Sequence, residues 1–155
     1  MTREHRLERT QLIPAPLSEV FAFFADAANL QRLTPSKLSF EILTPLPIGM
    51  RVGALIEYRI RLSGIPMRWL TEITRFEPER CFVDEQLRGP YKRWVHLHEF
   101  RSLPDGQTEM RDRVDYELPF GPLGSLVHQL VVQRTLQGIF DFRRQAVARE
   151  FGASS

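Results

Sequence analysis

Between Lys37 and Leu118 the chain holds six stretches of alternating β-branched and aromatic residues, cut apart by turn residues at LPIG, SG, EPER, RGP and PDG. Connections this short make neighbours antiparallel, because a parallel partner needs a crossover of about a dozen residues or more. The spacing therefore predicts a six-strand meander. An earlier alternating stretch, ending near Ile13, extends it to seven strands.

What flanks the meander is helical. After two prolines, Leu17, Val20, Phe21 and Phe24 recur at three-to-four spacing, which predicts an amphipathic helix. Asn29 is read as the cap of a second short helix through LQRL, stopped by Pro35, whose ring disfavours helix in the residue before it. From Pro122 to about Phe151 there is no internal proline, and Leu123, Val127, Leu130, Val131, Ile139, Phe142 and Ala146 fall near one face. One long helix, on the order of 40 Å, is expected there, with Arg134, Arg143, Arg144 and Arg149 mainly off its apolar stripe.

At 155 residues the chain is the size of one domain, 1–155, with 43% hydrophobic and 26% charged residues. No apolar run reaches the length that spans a bilayer, so no integral membrane association is expected. The start, MTREHRLERTQ, is charged where a secretory signal is apolar, and the single Cys81 rules out an internal disulfide framework. A cytoplasmic location is the expectation. The formal charge is only +2 and the arginines are scattered, on the polar side of stretches such as EYRIRL and MRDRVDYEL. That is the solvated face of a sheet, and no nucleic-acid partner is expected.

Register follows from parity, because neighbouring strands must present their apolar residues to one side. A two-residue turn at Ser63 and Gly64 sets Tyr58 opposite Trp69. At PDG a three-residue loop sets Phe100 opposite Met110, whereas a two-residue loop would bury Arg111 and Arg113 unpaired, at several kcal/mol each. The first register wins and puts His98 opposite Asp112. Similar reasoning at RGPY sets Asp84 near His96 and Gln86 near Trp94.

The inward face then carries Tyr58, Trp69, Thr71, Phe82, Asp84, Gln86, Trp94, His96, His98, Phe100, Asp112 and Tyr116. This is too polar for a solid core, where carboxylates appear only when paired. Aromatics around a few convergent polar groups describe a lined pocket, and these twelve residues are the candidate ligand-binding set.

The order of elements resembles the helix-grip fold of the START and Bet v 1-like superfamily, SRPBCC: an α+β domain whose seven-stranded antiparallel sheet wraps a long C-terminal helix, with two short helices after the first strand. FVDEQLRGPYKRWVHLHEF followed by TEMRDRVDYELPFGPLG is similar to bacterial ligand-binding SRPBCC proteins related to polyketide cyclases and dehydratases. Their F-x-D-x-Q, G-P-x-x-x-W-x-H-x-H-x-F and D-x-V-x-Y pattern is filled here by Phe82, Asp84, Gln86, Gly89, Pro90, Trp94, His96, His98, Phe100, Asp112, Val114 and Tyr116. The resemblance implies a hydrophobic cavity between sheet and helix, binding or transporting a lipid, polyketide, quinone or aromatic molecule.

Two readings of the histidines stay open: a buried structural network with the carboxylates, or one that also touches ligand. As an alternative to binding, one of them, held by Asp84 or Asp112, can serve as general base in a cyclisation or dehydration. No nucleophile is evident, since Cys81 has the opposite parity to Phe82, and no catalytic residue is assigned. A metal needs three or four ligands, and with no third histidine on a nearby strand and His5 and His128 remote, neither metal nor other cofactor is expected. PFGPLG, ahead of the long helix, is read as a gate or a plain turn.

Overall fold

The computed structural model describes residues 4–62, 64–119, 121–123, 126 and 131–153. Strand β1 (Glu4–Ile13) leads through Pro14 and Pro16 into helix α1 (Leu17–Phe24), which buries Val20, Phe21 and Phe24. Two 3-10 turns follow, Ala27–Leu30 and Ser36–Leu38. Then come β2 (Glu41–Ile42), β3 (Leu55–Leu62), β4 (Ile65–Glu77), β5 (Cys81–Arg88), β6 (Arg93–Ser102) and β7 (Thr108–Glu117). A 3-10 turn at Gly121–Leu123 and helix α2 (Gln133–Phe151) complete the described chain.

The strands form one antiparallel sheet in the order β1-β7-β6-β5-β4-β3-β2, the predicted meander with β1 added beside β7. The predicted registers hold: Tyr58 pairs with Trp69, Phe100 with Met110, His98 with Asp112 and Asp84 with His96. At PDG the loop closes as the Leu103 N–H donates to the Gln107 carbonyl and the Gly106 N–H to the Leu103 carbonyl, and Gly106 takes a φ of 84°, where a side chain would be strained. The β5–β6 pairing ends at Glu85 opposite Val95, so Gln86 is not a ladder partner of Trp94.

Two expectations are corrected. Asp26, not Asn29, caps the turn after α1, its carboxylate accepting from the Ala28 N–H at 3.0 Å, while the Asn29 amide donates to the Phe23 carbonyl. That element is a 3-10 turn instead of a short α-helix. Of the long helix predicted from Pro122, the described part is α2, whose 19 residues span roughly 28 Å, and Leu126, Val131 and Val132 ahead of it are helical as well. Val127, His128 and Leu130 lie outside the described residues.

The outward face of the sheet carries its charges in pairs. Arg59 meets Glu41 at 2.6 Å, Arg93 meets Glu4 at 2.7 Å, and Arg111 meets Glu99. These exposed pairs are worth little individually, but they explain where the scattered arginines go. No helix among the described residues is long and apolar enough to cross a membrane.

Candidate ligand cavity

The space between the sheet and α2 is packed at one end and hollow at the other. Two adjoining chambers open from about the middle of the sheet, with volumes of about 120 and about 140 Å³. They share Leu30, Leu33, Tyr58, Trp94, His96 and Arg143, so His96 and Arg143 stand at the junction. The first chamber continues over Met50, Ile56, Thr71, Ile73, Phe82, Asp84 and His98; the second over Phe40, Ile60, Trp69, Tyr91, Leu136 and Phe140.

The polar cluster at the junction is built by β5, β6, β7 and α2. His96 and His98 are successive inward residues of β6, and their rings stack with centroids 3.7 Å apart. Although the register places each histidine opposite a carboxylate, the short hydrogen bonds run diagonally. His98 Nε2 donates to Asp84 Oδ2 at 2.6 Å, and His96 Nε2 donates to Asp112 Oδ1 at 2.8 Å. The directly opposite pairs are longer, 3.7 Å for His96 and Asp84 and 3.4 Å for His98 and Asp112. Arg143 reaches down from α2, its Nη2 donating to Asp112 Oδ1 and to His98 Nδ1, each at 3.3 Å. A nitrogen that accepts from a guanidinium carries no proton, which fixes His98 as the Nε2–H tautomer.

The electrostatics follow from burial. Burial would raise both carboxylates, but the neighbouring His96 and the His98 hydrogen bond hold Asp84 below its ordinary value, and Arg143 with His96 holds Asp112 well below its own. Burial, aided by the neighbouring His96, pushes the His98 imidazole down to about 4, so it stays neutral near pH 7. Burial pushes the Tyr58 phenol well above its ordinary 10, and does the same to Tyr91. Both phenols therefore remain protonated donors. Trp69, only 6% exposed, lines the second chamber, and its indole N–H has no hydrogen-bond partner among the described residues.

Of the twelve residues read from the sequence, Tyr58, Trp69, Thr71, Phe82, Asp84, Trp94, His96 and His98 line one or both chambers. The other four do not. Phe100 belongs to the packed end, edge-on to Phe21 at 5.2 Å. Tyr116 backs Trp94 and Tyr91. Asp112 orients His96 and Arg143 from behind the rings. Gln86 caps the β5–β6 turn, its amide donating to the Tyr91 carbonyl at 2.7 Å and its oxygen accepting the Tyr91 N–H at 3.2 Å.

Arg143 departs from its sequence reading as an off-stripe charge. It is 8% exposed and lies three residues after Phe140 and three before Ala146, so the spacing that marks the apolar stripe includes it. Cys81 faces away from the cavity, as parity requires, yet it is buried there, its thiol donating to Glu77 at 3.1 Å and pushed up to about 11 by burial and that carboxylate. An unreactive thiol fits that setting.

The chain is similar to known proteins in sequence and in fold. An uncharacterised Mycobacterium tuberculosis protein, Rv0088, is 27% identical over 111 residues, covering 72% of this chain and 47% of the relative, so the chain spans about half the length of the curated relatives it matches. TTHA0849 from Thermus thermophilus superposes with a TM-score of 0.69 at 21% identity, covering 96% of this chain and 99% of that one. The ZhuI aromatase/cyclase from Streptomyces sp. R1128 superposes at 0.67 with 16% identity, covering 95% of this chain and 96% of that one. Residues 13–141, from the end of β1 into α2, match the family described as polyketide cyclase/dehydrase and lipid transport. With a seven-stranded sheet gripping its last helix over a hollow and that match across most of its length, the chain belongs to this family, within the SRPBCC superfamily and its helix-grip fold.

Proposed function

We propose that the chain binds a small hydrophobic molecule of one or two rings, with its polar end turned toward His96 and Arg143. The observation that carries this is the meeting of two apolar chambers at that pair. Each chamber is comparable to the roughly 150 Å³ apolar cavity that takes up a benzene. Size therefore favours an aromatic or quinone-like occupant over a long acyl chain. Burial of ring area supplies the affinity, about 25 cal/mol per Å² of apolar surface removed from water. The Trp69 N–H, the Tyr58 phenol and the Arg143 guanidinium supply orientation, since all three are donors and suit a carbonyl or phenolate. Native mass spectrometry of freshly purified protein tests this. A non-covalent adduct of an apolar aromatic is the expected result, and a protein that emerges empty under every extraction condition counts against the proposal.

A second reading is acid–base catalysis on such a molecule, favoured by one feature: the His96 Nε2–H is held by Asp112, leaving Nδ1 as the ring's acceptor. A base so oriented can remove a proton beside a carbonyl, as cyclisation and dehydration require. ZhuI, whose fold this chain shares, is an aromatase/cyclase. Replacing His96 and His98 singly with Gln decides it: turnover that survives both changes removes this reading and leaves binding.

A further inference from the structure

The two imidazoles present opposite nitrogens to the same pair of oxygens. Toward Asp84 Oδ2 point His98 Nε2, at 2.6 Å, and His96 Nδ1, at 3.7 Å. Toward Asp112 Oδ1 point His96 Nε2, at 2.8 Å, and His98 Nδ1, at 3.4 Å. Asp84, His96 and His98 thus each offer a donor atom within 4.8 Å of the others. Donors on an ion with bonds of about 2.0–2.2 Å stand about 3–3.5 Å apart, a spacing that the two contacts to Asp84 bracket, and the stacked rings must tilt so that their lone pairs converge on the ion.

We propose that Asp84, His96 and His98 form a binding site for a divalent transition-metal ion, open on the side of the first chamber. A search for a third histidine misses this set because its third member is a carboxylate.

Two features beyond the donor count support it. Ligating imidazoles commonly donate their remote N–H to a carboxylate, carbonyl or water that fixes tautomer and ring orientation, and here one oxygen of Asp112 faces both rings. With the ion bound, the His98 proton moves from Nε2 to Nδ1 and donates to Asp112, so the exchange needs no net proton. Arg143 then gives up His98 Nδ1 and keeps Asp112, to which it already donates at 3.3 Å. The local charge also calls for a cation: two carboxylates face one guanidinium, and with both rings neutral the cluster carries one negative charge. Three protein ligands leave at least one position free, and all three line the first chamber, where a carbonyl or phenolate oxygen of the occupant can complete the sphere. Two imidazoles select ions of the zinc, ferrous or cobalt kind over magnesium and calcium.

The site goes beyond the binding proposal and is tested without any organic ligand. Chelator-stripped full-length protein is titrated with cobalt(II) chloride, and the visible ligand-field bands are followed. A saturable one-to-one signal is expected, with affinity lowered about 100-fold or more in Asp84→Asn and in His98→Gln, and roughly 10–100-fold in Asp112→Asn, which keeps all three ligands. Unchanged affinity and spectrum in Asp84→Asn and His98→Gln, or no saturable signal in the unaltered protein, overturns the proposal. Because these variants can lose their fold, copper(II) electron paramagnetic resonance on the unaltered protein gives an independent answer: two coordinated imidazole nitrogens support the site, and one or none refutes it. A protein that binds cobalt but retains no organic molecule upholds the metal site alone, and the converse upholds only the cavity.

Discussion

The two ends of the layer between sheet and α2 are made by the same strands with the same parity, yet one is solid and the other hollow. At the solid end, Ile13, Val20, Phe21, Phe100, Met110 and Val147 interlock, with Phe100 edge-on to Phe21, while Phe24 and Phe82 pack on this end and also form the near wall of the first chamber. At the hollow end, Ile60, Trp69, Trp94, Val114, Tyr116, Leu136 and Phe140 line or back the chambers. The difference lies in what sits opposite the sheet. Helix α1 inserts Phe21 into the solid end and closes it off with Phe24, beyond which the first chamber is met only by the smaller Ala27, Leu30 and Leu33 from and beside a short 3-10 turn. Alternation decides which face is inside; the size of the opposing side chains decides whether that inside is filled.

The comparison breaks first at Phe100. Phe100→Ala opens a cavity in a packed end and should cost about 3–5 kcal/mol in urea unfolding, while Tyr58→Phe, which removes one hydroxyl from a chamber wall, should cost under about 1. Similar losses from both would mean that the two ends are equally packed. Next in size is Asp112→Asn, which leaves Arg143 facing a neutral amide in a buried site and should cost about 3 kcal/mol at neutral pH.

The cluster also sets a pH dependence. In metal-free protein His98 is held neutral, its value lowered from 6.5 to about 4, so the unfolded chain binds more protons than the folded one between those values. Stability therefore falls as pH drops through that window, by about 3 kcal/mol, and His98→Gln should flatten that slope. The depressed carboxylates act in the same direction further down: their contribution is present above the ordinary carboxylate range and is lost as pH falls below it. Thermal melts from pH 7 to pH 4 read the His98 part and their continuation to about pH 2 the carboxylate part; a slope between pH 7 and pH 4 unchanged in His98→Gln would contradict the assignment.

The smallest effect is at Gly89. A Cβ there would meet the Gln86 amide oxygen at 2.4 Å, and that amide is pinned by two hydrogen bonds to Tyr91. Gly89→Ala should cost about 1 kcal/mol, and the cost should vanish in a Gln86→Ala background, where nothing is left to displace. Equal cost in both backgrounds would place the constraint in the backbone instead.

Most of the sheet was legible because its signals are local. Turn lengths at Ser63–Gly64 and at PDG, together with the penalty for burying Arg111 and Arg113, fixed pairings that the structure reproduces. Depth was not legible. Parity puts Phe100, Tyr116 and Trp94 on one face, but only the positions of α1 and α2 separate a packed residue from a chamber wall. Register also gives Cα partners rather than side-chain partners, which is why the histidines bond diagonally to Asp112 and Asp84. Arg143 escaped because a charge on a helix reads as solvated, although its spacing from Phe140 and Ala146 puts it on the buried stripe.

The chain's two tryptophans, Trp69 and Trp94, lie 5.1 Å apart and both line the second chamber, so intrinsic fluorescence reports on the cavity directly. Titration with a one- or two-ring phenol or quinone should change their emission saturably, with one molecule bound per chain, and Ile60→Trp, which fills the same chamber, should abolish the change. Emission that stays constant across such molecules in folded protein, or that changes equally in Ile60→Trp, would contradict a cavity open to a ligand.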